Sequence, residues 1–227
     1  NAAALKAVRP CAPNDAGSHV HGRSNGNDCD SLEALFERQS FDQHFQPNST
    51  ILLQGEPADA VYHVKSGTVR CCLIDADGKR QIFSFVGKGG FVGISDVERW
   101  HFTAEAVDHV ILQSVPRATL EQNLATNLSL RQDIRTRVRT LLECRERQLL
   151  SLVSTKASER VLRFLIEFAE TRPRSSHVVL PMCRRDIADH LGLSVETVSR
   201  AFGELKSKGL IDLATHEKYK IMHAARP

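Results

Sequence analysis

The 227-residue chain has no long hydrophobic run; its apolar stretches, such as Phe83-Ser84-Phe85-Val86, fall far short of the ~20 residues a bilayer-spanning helix needs. A chain threaded through a membrane by helices is therefore not expected, and no membrane partner is expected either. Residues 1 to 30 lack the apolar core of a secretory signal, so a cytoplasmic location is the expectation. Charge of one sign is scarce as well. Thirty Lys and Arg against 27 Asp and Glu leave +3, which by itself names no partner.

Close-set metal ligands are missing too. An iron–sulfur cluster needs grouped thiolates, typically with C-x2-C spacing. Cys11 and Cys29 stand far apart, and Cys71 and Cys72 are neighbours whose side chains point to opposite faces of a strand. The ten histidines include no pair of diagnostic spacing; His63 and His109 read as core or barrel-surface residues. The glycines of Gly87-Lys88-Gly89-Gly90-Phe91-Val92-Gly93 match neither the dinucleotide nor the P-loop fingerprint. No Ser/His/Cys constellation points to nucleophilic catalysis. We expect no metal, no cofactor and no enzyme, and cysteines that are mostly reduced thiols.

What is present is a change of pattern along the chain. From Lys156 onward there are 13 Lys and Arg against 9 Asp and Glu; the first 155 residues carry 17 against 18. The basic excess sits in the last third, where a nucleic-acid partner would be met. Residues 1–30 read as a flexible arm with Pro10, Pro13 and many polar residues. After a short helix at Leu32, Leu35 and Phe36, residues 31–116 read as an antiparallel β-barrel or sandwich. Its strands include Val61–Val64, Val69–Ile74 and Gln81–Val86, and Asp75-Ala76-Asp77-Gly78 turns a hairpin.

Residues 117–153 change period. Leu128, Ile134, Val138, Leu141, Leu142, Leu149 and Leu152 recur at helical spacing among arginines, which predicts one long amphipathic helix. A rod of that length exceeds what its own barrel can cover, so pairing with a second copy is expected. Its interface would be Ile134, Val138, Leu141, Leu142, Arg145 and Leu149. Residues 154–227 then form a second domain, opened by a helix that Ser154-Thr155 could cap and that ends near Thr171-Arg172-Pro173. A strand at His177–Leu180, two close helices and a ribbon of Leu210–Leu213 with Tyr219–Met222 follow. The fold class is α+β.

Arg184-Arg185-Asp186-Ile187-Ala188-Asp189-His190-Leu191, then Gly192-Leu193-Ser194, then Val195 to Lys208, spell helix, tight turn, helix. Gly192 suits a left-handed helix end and Ser194 an N-cap. In such motifs the second helix enters the major groove. Glu196, Ser199 and Arg200 share one face of it, and Val195 precedes them, offering chemistry for guanine, cytosine and the thymine methyl. Arg184, Ser194, Thr197 and Lys206, with Lys208, are candidates for phosphate contact.

These residues resemble the CRP/FNR family of bacterial transcription regulators, its FNR-like branch, and most closely the FixK-type regulators of rhizobia. Gly55-Glu56-Pro57-Ala58-Asp59 with Tyr62, Val64, Gly67, Val69 and Arg70 looks like the family's cyclic-nucleotide-binding β-roll. Val195-Glu196-Thr197-Val198-Ser199-Arg200 is similar to the FNR-type recognition helix. The resemblance implies a winged helix-turn-helix, a homodimer on a TTGAT-N4-ATCAA-like palindrome, and activation through RNA polymerase. It also implies roles in nitrogen fixation and microaerobic gene control. Cyclic-AMP binders of the family carry a glutamate and an Arg-x-Ala; here the glutamate is missing and the triplet reads Phe102-Thr103-Ala104. The alternative is a regulator whose β-roll still binds an effector such as a cyclic nucleotide or haem.

Cys183 stands where the first helix of the motif needs its N-cap, directly before Arg184-Arg185. A helix N-terminus and two guanidiniums favour a reactive thiolate. Redox control of DNA binding through Cys183 is the expectation; a small residue standing in for serine is the alternative.

Overall fold

The computed structural model describes residues 31–95, 97–154, 156–172 and 177–222. The expected arm, residues 1–30, lies outside them. The chain forms two compact units divided between Leu142 and Glu143.

In the first unit, α1 (Leu32–Gln39) leads into β1 (Phe41–Phe45), β2 (Thr50–Leu52), β3 (Ala60–Ser66), β4 (Val69–Ile74) and β5 (Arg80–Val86). Then follow β6 (Phe91–Val92), β7 (Thr103–Ala106) and β8 (Val110–Pro116). They form two four-stranded sheets, ordered β1-β8-β3-β6 and β2-β7-β4-β5, with every pairing antiparallel. This is the antiparallel β-roll that the family resemblance implies; the residue pattern alone reads as a barrel or sandwich. The hairpin between β4 and β5 turns where Asp75-Ala76-Asp77-Gly78 predicts: the Gly78 N–H donates to Asp75 O at 3.0 Å, with φ +77° at the glycine.

The roll is filled by Val64, Val69, Val92, Trp100, Phe102, Ala104 and Leu112 among others. Each such large aliphatic or aromatic side chain contributes roughly 1.5–3 kcal/mol by leaving water. Gly93 is needed at its position. Its φ is +90°, and a Cβ there would lie 2.6 Å from the Trp100 ring. Cys71 and Cys72 are both buried, with a register irregularity between them. Cys71, Cys72 and Cys183 are free thiols.

The helical stretch after Pro116 is two helices rather than one. α2 (Arg117–Thr126) ends at Asn127, whose backbone is extended, and α3 (Leu128–Ser154) begins there. Asn127 Oδ1 accepts from Leu130 N at 3.0 Å, the bond of an N-cap. Near its start α3 holds α1. Leu32 N donates to Asp133 Oδ2 at 2.9 Å; Arg137 Nε donates to both Asp133 oxygens at 3.1 Å, and its Nη2 reaches Glu33 Oε1 at 2.5 Å. The same guanidinium lies over Phe91, 4.9 Å from the ring centre. Ile134 packs into the second core cluster of this unit, against Leu32, Leu35 and Phe36. Ile134 is half-buried there.

In the second unit, α4 (Ala157–Glu170) buries Val161, Phe164, Leu165 and Phe168, a stripe of 3.6-residue period. Its N-cap is Lys156, without a side-chain bond; Ser154 closes α3 instead, and Thr155 lies outside the described residues. β9 (Val178–Val179), α5 (Arg184–Leu191), α6 (Val195–Ser207), β10 (Ile211–Leu213) and β11 (Lys218–Ile221) complete it, with sheet order β10-β11-β9. Tyr219 of β11 is wholly buried, and its hydroxyl donates to Leu165 O at 2.6 Å. Burial pushes its phenol well above the ordinary tyrosine value. Replacing it by Phe should cost about 1 kcal/mol, read as a lower urea midpoint with an unchanged slope.

Candidate nucleic-acid interface

The turn between α5 and α6 is made by one residue type. Gly192 adopts φ +62°, ψ +42°, which a Cβ-bearing residue reaches only at a cost, and its N–H donates to Ala188 O. Leu193 N also donates to Ala188 O, at 3.0 Å, and Arg160 of α4 donates to Leu191 O at 3.1 Å. The end of α5 is thereby tied to α4. Ser194 caps α6, accepting from Thr197 N at 3.2 Å.

Val198, Ala201, Phe202 and Leu205 of α6 are buried, as are Ile187, Ala188 and Leu191 of α5. With that face fixed inward, Glu196, Ser199 and Arg200 are exposed together on the opposite side, and Val195 is half-buried at the helix start. Ser199 donates to Val195 O at 2.9 Å, which leaves its oxygen free to accept. Arg200 Nη2 donates to Thr197 Oγ1 at 3.3 Å, and Thr197 Oγ1 lies 3.1 Å from Ser194 Oγ. The Glu196 carboxyl is held below its ordinary value by its own backbone N–H, then by the Ser194 hydroxyl and the nearby Arg200 cation. An ionised acceptor and a forked donor thus stand side by side in water. Lys206 is exposed, and Lys208 pairs with Glu204 at 2.5 Å.

Arg184 takes a geometry that its position in the sequence does not reveal. Its guanidinium carbon lies 3.2 Å from the centre of the Phe202 ring, and Nη2 donates to His216 O at 2.8 Å. Burial lowers its pKa to about 10. The cation expected to face a phosphate is turned onto the recognition helix and the wing turn.

Cys183 is the N-cap of α5 and is exposed. The carboxylate of Asp186, itself 3% exposed, accepts from Cys183 N and from Cys183 Sγ, both at 3.4 Å. The thiol therefore faces a carboxylate, with the Arg184 guanidinium engaged elsewhere. Asp186 was the missed partner, and its signal was present: an acid three residues after the cap completes a capping box.

On α3, Val138, Leu141, Leu142 and Leu149 are exposed large hydrophobics, and Arg145 is half-buried. Leu128 and Leu142, like Leu142 and Leu149, recur on one stripe at multiples of seven.

Phe102, standing where the family's cyclic-AMP binders have their arginine, is buried edge-on to Phe83 and Trp100 at 5.4 and 5.8 Å. An aromatic cluster occupies the place of the cation. His63, the residue most open to a haem reading, stacks on Phe91 at 4.6 Å, and its Nδ1 lies 3.2 Å from Gln113 Oε1.

An antiparallel roll followed by a long helix and a winged helix-turn-helix defines a class of DNA-binding transcription regulator. The description of the cyclic nucleotide-binding domain matches residues 42–127, and that of the Crp-like helix-turn-helix domain matches residues 159–226. The nitrogen fixation regulation protein FixK of Azorhizobium caulinodans is 37% identical over 179 residues, 77% of this chain and 72% of that protein. FixK of Rhizobium meliloti is 33% identical over 178 residues, 78% of this chain and 81% of that protein. The solved structure of FixK2 from Bradyrhizobium japonicum superposes with a TM-score of 0.78 at 30% identity, covering 81% of this chain and 93% of that one. The chain belongs to the CRP/FNR family of transcription regulators and is FixK-like within it. Among the described residues no helix is long and apolar enough to cross a membrane.

The cap geometry yields a stability prediction. Cys183→Ser should raise the unfolding free energy by about 0.5–1 kcal/mol, since a hydroxyl caps more strongly than a thiol. Urea unfolding of the reduced protein measures it.

Proposed function

We propose that the protein is a homodimeric, sequence-specific activator that binds a TTGAT-N4-ATCAA-like palindrome, in the cytoplasm and without a cofactor or enzymatic activity. The observation that carries this reading is the exposed trio Glu196, Ser199 and Arg200 on α6, backed by the buried Val198, Phe202 and Leu205. In the major groove Arg200 would fork onto guanine O6 and N7, Glu196 would accept from cytosine N4, and Val195 would touch a thymine methyl. Ser199 would accept from a base edge. Lys206 and Ser194 are the phosphate contacts of this reading.

Thr197 has a dual part. Its hydroxyl supports Arg200, so a phosphate contact would have to share that oxygen with the guanidinium. Two recognition helices about 34 Å apart require a two-fold pair of chains. The exposed Val138, Leu141, Leu142 and Leu149 supply a seam for it, with Arg145 at its margin. Activation would proceed by contact with RNA polymerase.

Redox control through Cys183 enters the same reading. The thiol is exposed at the first helix of the motif, and oxidation to a sulfinate would add negative charge beside a DNA phosphate. A β-roll gated by a cyclic nucleotide is disfavoured by the buried Phe102, and titration calorimetry with cyclic nucleotides should give no binding heat.

Selection of bound duplexes tests the core of the proposal. Arg200→Ala should cost about 1–3 kcal/mol on the preferred duplex and relax the choice at one guanine. Lys206→Ala should weaken all sequences alike and reduce the salt slope by about one. An unchanged base preference in Arg200→Ala would remove the assignment. Leu142→Glu with Leu149→Glu should convert the dimer to a monomer in sedimentation equilibrium and abolish palindrome binding. Peroxide should weaken operator binding by the native protein and leave Cys183→Ser unaffected; equal sensitivity of the two would refute the redox arm.

A further inference from the structure

The wing turn is exposed from Ala214 to Lys218, and its own bonds are local. Ala214 N donates to Lys218 O at 3.0 Å, while Glu217 N and Lys218 N donate to Thr215 Oγ1 at 3.2 and 3.1 Å. Below it the ribbon is anchored firmly, with Leu180 N donating to Glu217 O at 2.8 Å and Tyr219 bonded to Leu165. The tip beyond these anchors is met from α5 by Arg184, whose Nη2 donates to His216 O at 2.8 Å. The same guanidinium lies over Phe202, a ring on the buried side of α6, with its carbon 3.2 Å from the ring centre.

We propose that Arg184 is a positioning residue: its planar fork braces the wing turn against the recognition helix, so that both reach one duplex in fixed relation. The assignment differs from a phosphate contact, because the group is half-buried and its face and one donor edge are already engaged inside the protein. A guanidinium stacks and bonds in one plane; an ammonium on a flexible stem does neither in this geometry. Arg184→Lys, which keeps the charge, should therefore behave as a loss of the brace. A residue serving as a point charge for phosphate would tolerate that exchange. The wing itself carries Lys218 and Lys220, both exposed, which the brace would present to the DNA backbone. This last step rests on the proposed DNA-binding function.

Two measurements on the full chain separate the possibilities. The first needs no DNA: amide hydrogen exchange at Glu217 and Lys218 should quicken about tenfold in Arg184→Lys, while Ile187 and Leu205 amides and the thermal midpoint stay as in the native protein. Unchanged exchange at the turn would overturn the brace even if the protein binds no operator at all. The second is a double-mutant cycle on a TTGAT-N4-ATCAA duplex. Arg184→Lys alone should weaken binding about tenfold, and in a Lys218→Ala/Lys220→Ala background it should weaken it no further. Native-like binding by Arg184→Lys, or a loss that persists in full in that background, would contradict the proposal. A native chain that ignores the duplex refutes the functional reading instead, leaving the exchange result to judge the brace.

Discussion

The burial of Val198, Phe202 and Leu205 in the core of the second unit is the constraint from which the rest follows. A helix has two sides, and fixing one at the core leaves no freedom in what the other presents. Once those three side chains leave water, Glu196, Ser199 and Arg200 are held outward in a known order and spacing. The left-handed Gly192 sets the direction in which α6 leaves the turn, and Ser194 starts it. The exposed face of α6 is thus a consequence of packing.

The electrostatics on that face are arranged by short local bonds. Ser194, Thr197 and Arg200 form a chain of hydroxyls and guanidinium, and Glu196 stays ionised among them. In the proposed reading this preordering matters, because long side chains lose rotamer freedom when they meet a base edge. The roll presents the opposite case. Its matching domain description names a cyclic nucleotide, and Phe102 and Trp100 pack edge to face inside it.

Much of this was legible in the residues. The hairpin at Asp75–Gly78, the glycine turn at 192, the serine cap and the apolar stripe of α6 are local patterns, in which neighbours a few positions apart determine the outcome. The break at Asn127 was legible as well, since asparagine is a strong N-cap, but the leucine periodicity on its far side masked it. Other features depend on distant partners. Arg184 finds its carbonyl 32 residues away at His216, and no spacing rule connects the two. Ile134 fits the stripe of a dimer helix as well as Val138 does, and no spacing rule reveals that it also packs against the core cluster holding Leu32, Leu35 and Phe36, a hundred residues earlier. The partner of Cys183 is a mixed case: Asp186 was visible as a capping-box acid, whereas the departure of Arg184 from the thiol was not.

Selection of duplexes from a random pool, run with the native chain and with Arg200→Ala side by side, tests the central claim most directly. The native protein should enrich an inverted repeat with a guanine in each half-site, and Arg200→Ala should lose preference at that guanine alone while keeping the repeat and its spacing. Enrichment of no inverted repeat by the native chain, or the same guanine preference in both proteins, would contradict the account.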